Sequence, residues 1–132
     1  MERAVDSDSL DTGSLAGDLH EIVRRAGEAA SHETFVLLRA LGGAMHAHPE
    51  LADAVYESRV EPELRTMRAV VDRAVDRGEV AAKNPALGFL AHLVSGATLA
   101  RPVVERAEAD PEFLSRYVDA VVLPALLSRR ER

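Results

Sequence analysis

Five histidines, at 20, 32, 46, 48 and 92, are the residues of this chain best suited to bind a metal or move a proton near neutral pH. Their spacing argues against both. His46 and His48 stand two apart, which turns their rings to different sides of a helix, and neither has an acidic residue at a recognised ligand spacing. Cysteine is absent, so disulfides and thiolate chemistry are excluded. No serine sits in a nucleophile elbow, and no glycine-rich loop follows a strand pattern. The chain is therefore expected to carry no catalytic residues, no metal and no cofactor, and not to be an enzyme. Its histidines are expected to be solvated or capping, with His92 a satisfied core or interface residue.

Composition narrows the classes further. The chain has 132 residues, enough for one domain and one real core. Its formal net charge is −6, whereas nucleic-acid binders present a basic patch because phosphate neutralisation supplies most of their affinity. Only a basic tail, Arg129, Arg130 and Arg132, and scattered arginines oppose that balance. DNA binding by this chain alone is not expected. The longest apolar run, residues 120–127, is interrupted by Pro124 and is too short to span a bilayer. No signal peptide is visible, so the expected location is the cytoplasm, with no membrane partner.

The elements that would position any site read as helices throughout. Residues 1–13 are rich in Asp, Ser, Thr and Gly and read as a flexible N-terminal linker; residues 14–128 form the domain. Ser14 is a plausible N-cap for a first helix over 14–30, and Ser31 for a second over 32–47. The Gly42-Gly43 pair in the second implies close packing, a kink or an end. His48-Pro49 opens a short helix over 49–59. Pro62 separates it from a longer one over 61–77, which Gly78 should stop. Asn84-Pro85 and Asp110-Pro111 each pair an N-cap with a first-turn proline, starting helices over 85–100 and 111–128. Pro124 should kink the last one or end it early. No strand alternation or internal repeat occurs. The fold class is all-α, an antiparallel bundle of about five to six helices.

The last two helices carry more apolar surface than a one-sided packing needs. On the final one, Phe113, Leu114, Tyr117, Val118, Val121, Val122, Ala125 and Leu126 cover more than half the circumference. On the one before it, Gly88, His92 and Gly96 form a row at i, i+4 and i+8 that lets another backbone approach closely. That backbone belongs either to this chain or to a second copy. In the second case the two helices meet their symmetry mates in a dimeric four-helix bundle. The expected dimer-interface residues are then Gly88, His92, Gly96, Leu114, Tyr117, Val118, Val121 and Val122.

Several local strings occur in a particular order: Asp11-Thr12-Gly13-Ser14-Leu15 with Gly17-Asp18-Leu19, then His48-Pro49-Glu50-Leu51, then residues 73–80 (Arg-Ala-Val-Asp-Arg-Gly-Glu-Val). The Asn84-Pro85 and Asp110-Pro111-Glu112-Phe113-Leu114 starts complete the set. Together they resemble the C-terminal domain of tetracycline-repressor-like (TetR) transcriptional regulators over about residues 10–127. The resemblance implies the ligand-binding and homodimerising half of a transcription regulator, commonly a repressor. In that family a small molecule bound here changes the spacing of two N-terminal DNA-reading heads. The helix-turn-helix head is expected to be missing from this chain, which would make it a fragment, a chain with a misassigned start or a headless protein. DNA would then be a partner only through that missing N-terminal domain.

The resemblance also implies a pocket for a small apolar effector between helices. Phe35, Leu38, Met45, Tyr56, Leu64, Met67, Val71 and Phe89 are its expected apolar wall, and Arg39, His46 and Tyr56 its expected polar contacts. Each apolar member would serve equally well in a plain core. The alternative reading is a headless helical interaction protein that heterodimerises with full-length regulators and blocks them. A small helical enzyme is a third, without a convergent polar cluster to support it.

Overall fold

A computed structural model describes residues 10–29 and 32–127, with the side chains of 26–29, 32–39, 59, 60 and 94 outside that description. The described residues form seven α-helices and no strand. These are α1 (Leu15–Ala29), α2 (His32–Ala47), α3 (Pro49–Val55), α4 (Glu61–Asp76), α5 (Leu90–Val104), α6 (Pro111–Tyr117) and α7 (Leu123–Leu126). The all-helical bundle expected from periodicity is the fold observed.

Three starts follow the expected caps. Ser14 Oγ accepts the Gly17 N–H at 3.0 Å, which satisfies one of the orphan donors of α1. Asn84 Oδ1 accepts the Ala86 N–H at 2.8 Å and Asp110 Oδ1 accepts the Phe113 N–H at 2.9 Å. His48 precedes α3 in extended backbone but makes no side-chain cap bond. Ser31, the expected cap of α2, lies outside the described residues. Gly78 ends α4 with φ +86°, a left-handed conformation that costs glycine little.

The prolines behave differently from expectation, and for one reason. Pro62 does not separate two helices. A π-turn, Tyr56–Val60, joins α3 to α4, with the Glu61 N–H reaching back to the Tyr56 carbonyl. Pro124 does not end the last helix either, because a π-turn, Val118–Val122, joins α6 to α7 and the Leu123 N–H bonds to the Val118 carbonyl. A helical proline clashes with the carbonyl four residues back, at Ser58 and Ala120 respectively. Both carbonyls lie inside a π-turn, whose wider loop accommodates the ring. The segment at Asn84-Pro85 starts as a 3₁₀ turn, Pro85–Phe89, before α5, and α5 runs past Pro102 to Val104. The helix expected to end near residue 100 thus runs four residues further. Gly42 and Gly43 do not end α2, which runs on to Ala47, and among the described residues nothing lies within 4 Å of a Cβ at either.

The core lies between α1, α4 and the 118–126 segment. Leu15 and Leu19 of α1 meet Met67, Val70, Val71 and Ala74 of α4, and Val118, Val122, Leu123 and Leu126 close the far side. Leu10 and Val80 join this cluster beside the C-terminal end of α4, where Arg73 donates to the Leu10 carbonyl and the Val80 N–H bonds to the Ala74 carbonyl. Asn84 ties the 3₁₀ turn to the last helix, its Nδ2 donating to the carbonyls of Ala125 (3.0 Å) and Leu126 (3.1 Å). By contrast, among the described side chains of α5, partly buried Leu90 and Leu93 pack against the core and none is fully buried. No single described helix is long and apolar enough to cross a membrane.

Candidate functional site

A cleft of about 110 Å³ opens between α4 and the start of α5. Leu64, Met67 and Arg68 form its α4 wall. Leu87, Gly88, Leu90, Ala91 and His92 form the other. The sequence puts 64, 67 and 68 on one face of α4 at helical spacing, while the 3₁₀ turn swings Gly88 and His92 round to face them. The walls are apolar apart from Arg68 and His92. Phe89 stands beside the mouth, 61 % exposed, with its ring edge-on to His92 at a centroid distance of 6.2 Å.

Of the ten expected pocket residues Phe89 stands outside the lining, and the other nine separate into four groups. Leu64 and Met67 line the cleft. Val71 is 3 % exposed and belongs to the core below it, so no ligand in this cleft reaches its side chain. Met45 is half-buried and His46 exposed near the end of α2, and Tyr56 is exposed in the π-turn; none of the three lines the cleft. Phe35, Leu38 and Arg39 have side chains outside the described residues. Two residues expected at a dimer interface, Gly88 and His92, line the cleft instead of lying apart from it.

The expected interface residues also divide. Val118 and Val122 are 6 % and 1 % exposed and are buried in the chain's own core, so neither is free for a partner; the π-turn rotates them inward. Leu114 and Tyr117 are half-buried, and Val121 is 42 % exposed. A Cβ placed on Gly88 or Gly96 would meet nothing within 4 Å, so no described part of this chain makes the close approach those glycines permit. The row Gly88, His92, Gly96 continues along α5 into Leu99 and Val103, which are 63 % and 74 % exposed, with Val104 beside them.

Two polar clusters were not foreseen. The first joins the two most characteristic sequence strings. Asp18 is fully buried, and its Oδ1 accepts from the Thr12 N–H (2.7 Å) and the Thr12 hydroxyl (2.8 Å). Its Oδ2 faces Arg73 Nη2 at 3.6 Å and Arg77 Nη2 at 3.9 Å. Arg73 also donates to the Leu10 carbonyl. Arg77 Nε donates to Glu79 Oε1 at 2.9 Å, and the Glu79 carboxylate accepts the free Leu15 N–H at the start of α1. The leading segment is thus clamped to the C-terminal end of α4 by charge-assisted bonds.

In the second cluster His20 bridges α1 to the last helix. Its Nε2 stands 2.8 Å from Asp119 Oδ1 and its Nδ1 3.0 Å from Ser115 Oγ. The residue types are those of a hydrolytic triad, but Ser115 and Asp119 are i and i+4 on one helix. The Leu114 N–H beside the serine bonds to the Asp110 carbonyl and is not available to an oxyanion. The trio reads as a strut between helices, and His20 is not the solvated or capping residue expected. The signal available in the sequence was the i, i+4 spacing of Ser115 and Asp119, which says nothing about a histidine ninety-five residues earlier.

Ionisation is perturbed at two places. The Arg24 guanidinium, bonded to Glu21, and then that of Arg25 hold the Glu21 carboxyl down at about 2, against an ordinary 4.5. Burial pushes the Tyr117 hydroxyl up. Among the described residues no group of His, Asp or Glu side chains is arranged to hold a metal ion.

The described residues thus form an all-helical domain with a small apolar cleft and one helix face that no other described part of the chain covers. The family model described as "Tetracyclin repressor-like, C-terminal domain" matches residues 10–121, and the chain belongs to that family. Domains of this family belong to transcription regulators rather than to enzymes. No curated protein and no solved structure matches the chain. The match begins at Leu10, the residue whose carbonyl the clamp holds.

Proposed function

We propose that this chain is the effector-binding and homodimerisation domain of a TetR-family transcription regulator, acting as a repressor, with DNA reading assigned to a basic head outside residues 10–127. The observation that carries the reading is the stripe on α5. Gly96, Leu99 and Val103 follow one another at spacings of three and four, so they share one helix face, and the apolar members are open to solvent. Contiguous exposed apolar surface beside glycines marks a surface that a partner covers. A two-fold axis beside α5 would pair this stripe with its copy and bring Val121 of each chain alongside. The acidic balance of the chain, net −6, supports keeping DNA contact out of this domain.

The cleft and the clamp share α4, and this supports an effector mechanism. Leu64, Met67 and Arg68 face the cleft, while Arg73, about one and a half turns further on, and Arg77, just past the end of α4, grip the leading segment. An effector that prefers one position of α4 would shift the leading segment by its differential affinity for the two arrangements. Heads reading half-sites about 34 Å apart need only a small pivot at that segment to lose their register.

Sedimentation at micromolar concentration tests the dimer. The wild-type chain is expected to sediment as two copies, and Leu99→Asp/Val103→Asp as one folded copy with unchanged helicity. A wild-type chain that sediments as a compact single copy rules the reading out.

A further inference from the structure

The cleft between α4 and α5 has a chemical preference written into it, and this inference rests on the effector reading above. We infer that its ligand is a short aliphatic monocarboxylate, seated with its hydrocarbon against Leu64, Met67 and Leu90 and its carboxylate on Arg68. The polar groups of the wall are Arg68 and His92, one a permanent cation and the other a potential one. In a chain of net charge −6, most described arginines are held by carboxylates: Arg24 and Arg25 by Glu21, Arg65 by Glu61, Arg73 and Arg77 by Asp18, and Arg101 by Glu105 and Asp110. Arg68 makes no ion pair with any described carboxylate, although Asp72 stands one turn away on the same helix. An unmatched guanidinium at the edge of an apolar cleft is a seat for an anion, and its planar fork fits a carboxylate through two parallel bonds.

Size sets the rest of the ligand. The cleft holds about 110 Å³. Pockets for drug-sized molecules start at roughly 300 Å³. A closed apolar cavity of about 150 Å³ takes a benzene ring. The part of the hydrocarbon that the walls can cover is therefore about four carbons, straight or branched, and a longer acyl chain would run on into solvent. A cation or a neutral alcohol of the same shape would fill the walls equally well but leave Arg68 unanswered.

The test uses the full chain, ¹⁵N-labelled, titrated with isovalerate, isoamyl alcohol and isoamylamine at neutral pH and constant ionic strength. Isovalerate is expected to shift the Gly88, Ala91 and His92 amides with a Kd at least about tenfold below those of the other two, a ratio in the range of one charge-assisted bidentate contact. In Arg68→Met the advantage over the alcohol should vanish while alcohol binding persists, which also shows that the variant is folded. Arg68→Lys should keep part of the advantage. Alcohol or amine binding as tightly as isovalerate to the wild-type chain overturns the anion assignment and leaves the cleft standing. If none of the three probes shifts those amides, the short aliphatic ligand is overturned, while the regulator reading is decided separately by the sedimentation of the wild-type chain.

Discussion

Asp18 is the residue on which the start of this domain turns. Its carboxylate is fully buried, bonded twice to Thr12 and faced by two guanidinium groups. Removing one member of a buried charged cluster leaves the others desolvated and unmatched. Asp18→Ala is expected to destabilise the fold by about 3 kcal/mol, read as a lower urea midpoint at unchanged slope. Gly17 beside it is equally constrained, because an added Cβ would overlap Thr12 Oγ1, which Asp18 holds in place. A helical Gly→Ala change ordinarily stabilises by up to about 1 kcal/mol; Gly17→Ala is expected to destabilise instead. Glu21 offers a pH signature. Its carboxyl is held down at about 2 by the Arg24 and Arg25 bonds, so its contribution is complete above the unfolded value of 4.5 and fades as pH falls toward 2. The stability difference between wild type and Glu21→Gln should be flat at neutral pH and shrink across that window. A difference that grows on acidification would contradict the pairing.

At the scale of elements, the glycines of α5 behave oppositely to Gly17. Nothing in the described chain lies within 4 Å of a Cβ on Gly96. In a single copy Gly96→Ala should therefore gain about 0.5–1 kcal/mol from helix propensity. Across the proposed two-fold axis the same methyl would hold two backbones apart. Gly96→Ala is expected to raise the dimer dissociation constant at least tenfold while raising the stability of the separated chain. A dissociation constant unchanged by the substitution would remove α5 from the interface. The two π-turns belong to this scale as well. Each ends two residues before a proline, and each keeps a helix continuous where the proline pattern alone predicts a break. The second also decides packing, since it turns Val118 and Val122 into the core and leaves Val121 outside.

For the whole molecule, the core is built by α1, α4 and the last helix, while α5 rides along its edge with its outer face uncovered. If a second copy covers that face, unfolding releases two chains and the midpoint must depend on concentration. The apparent Tm of the wild-type chain is expected to rise with each tenfold increase in concentration, and that of Leu99→Asp/Val103→Asp to stay fixed. A concentration-independent wild-type Tm would mean that the apolar stripe is simply solvated.

What the sequence determined by itself is local. Ser14, Asn84 and Asp110 fixed helix starts because a cap acts within three residues, Gly78 fixed a stop through its own φ, and apolar periodicity fixed the helical class. The two prolines misled because their consequence depends on whether a wider turn precedes them, which no single residue announces. Only the tertiary structure decided which faces meet. It joined Leu15 to Glu79 and His20 to Asp119, placed Gly88 and His92 in a cleft with Leu64 and Met67, and withdrew Val71, Val118 and Val122 into the core. Those outcomes depend on how helices far apart in the chain rotate against one another. Many apolar faces satisfy a helical pattern equally well, and the packing of the whole core selects among them.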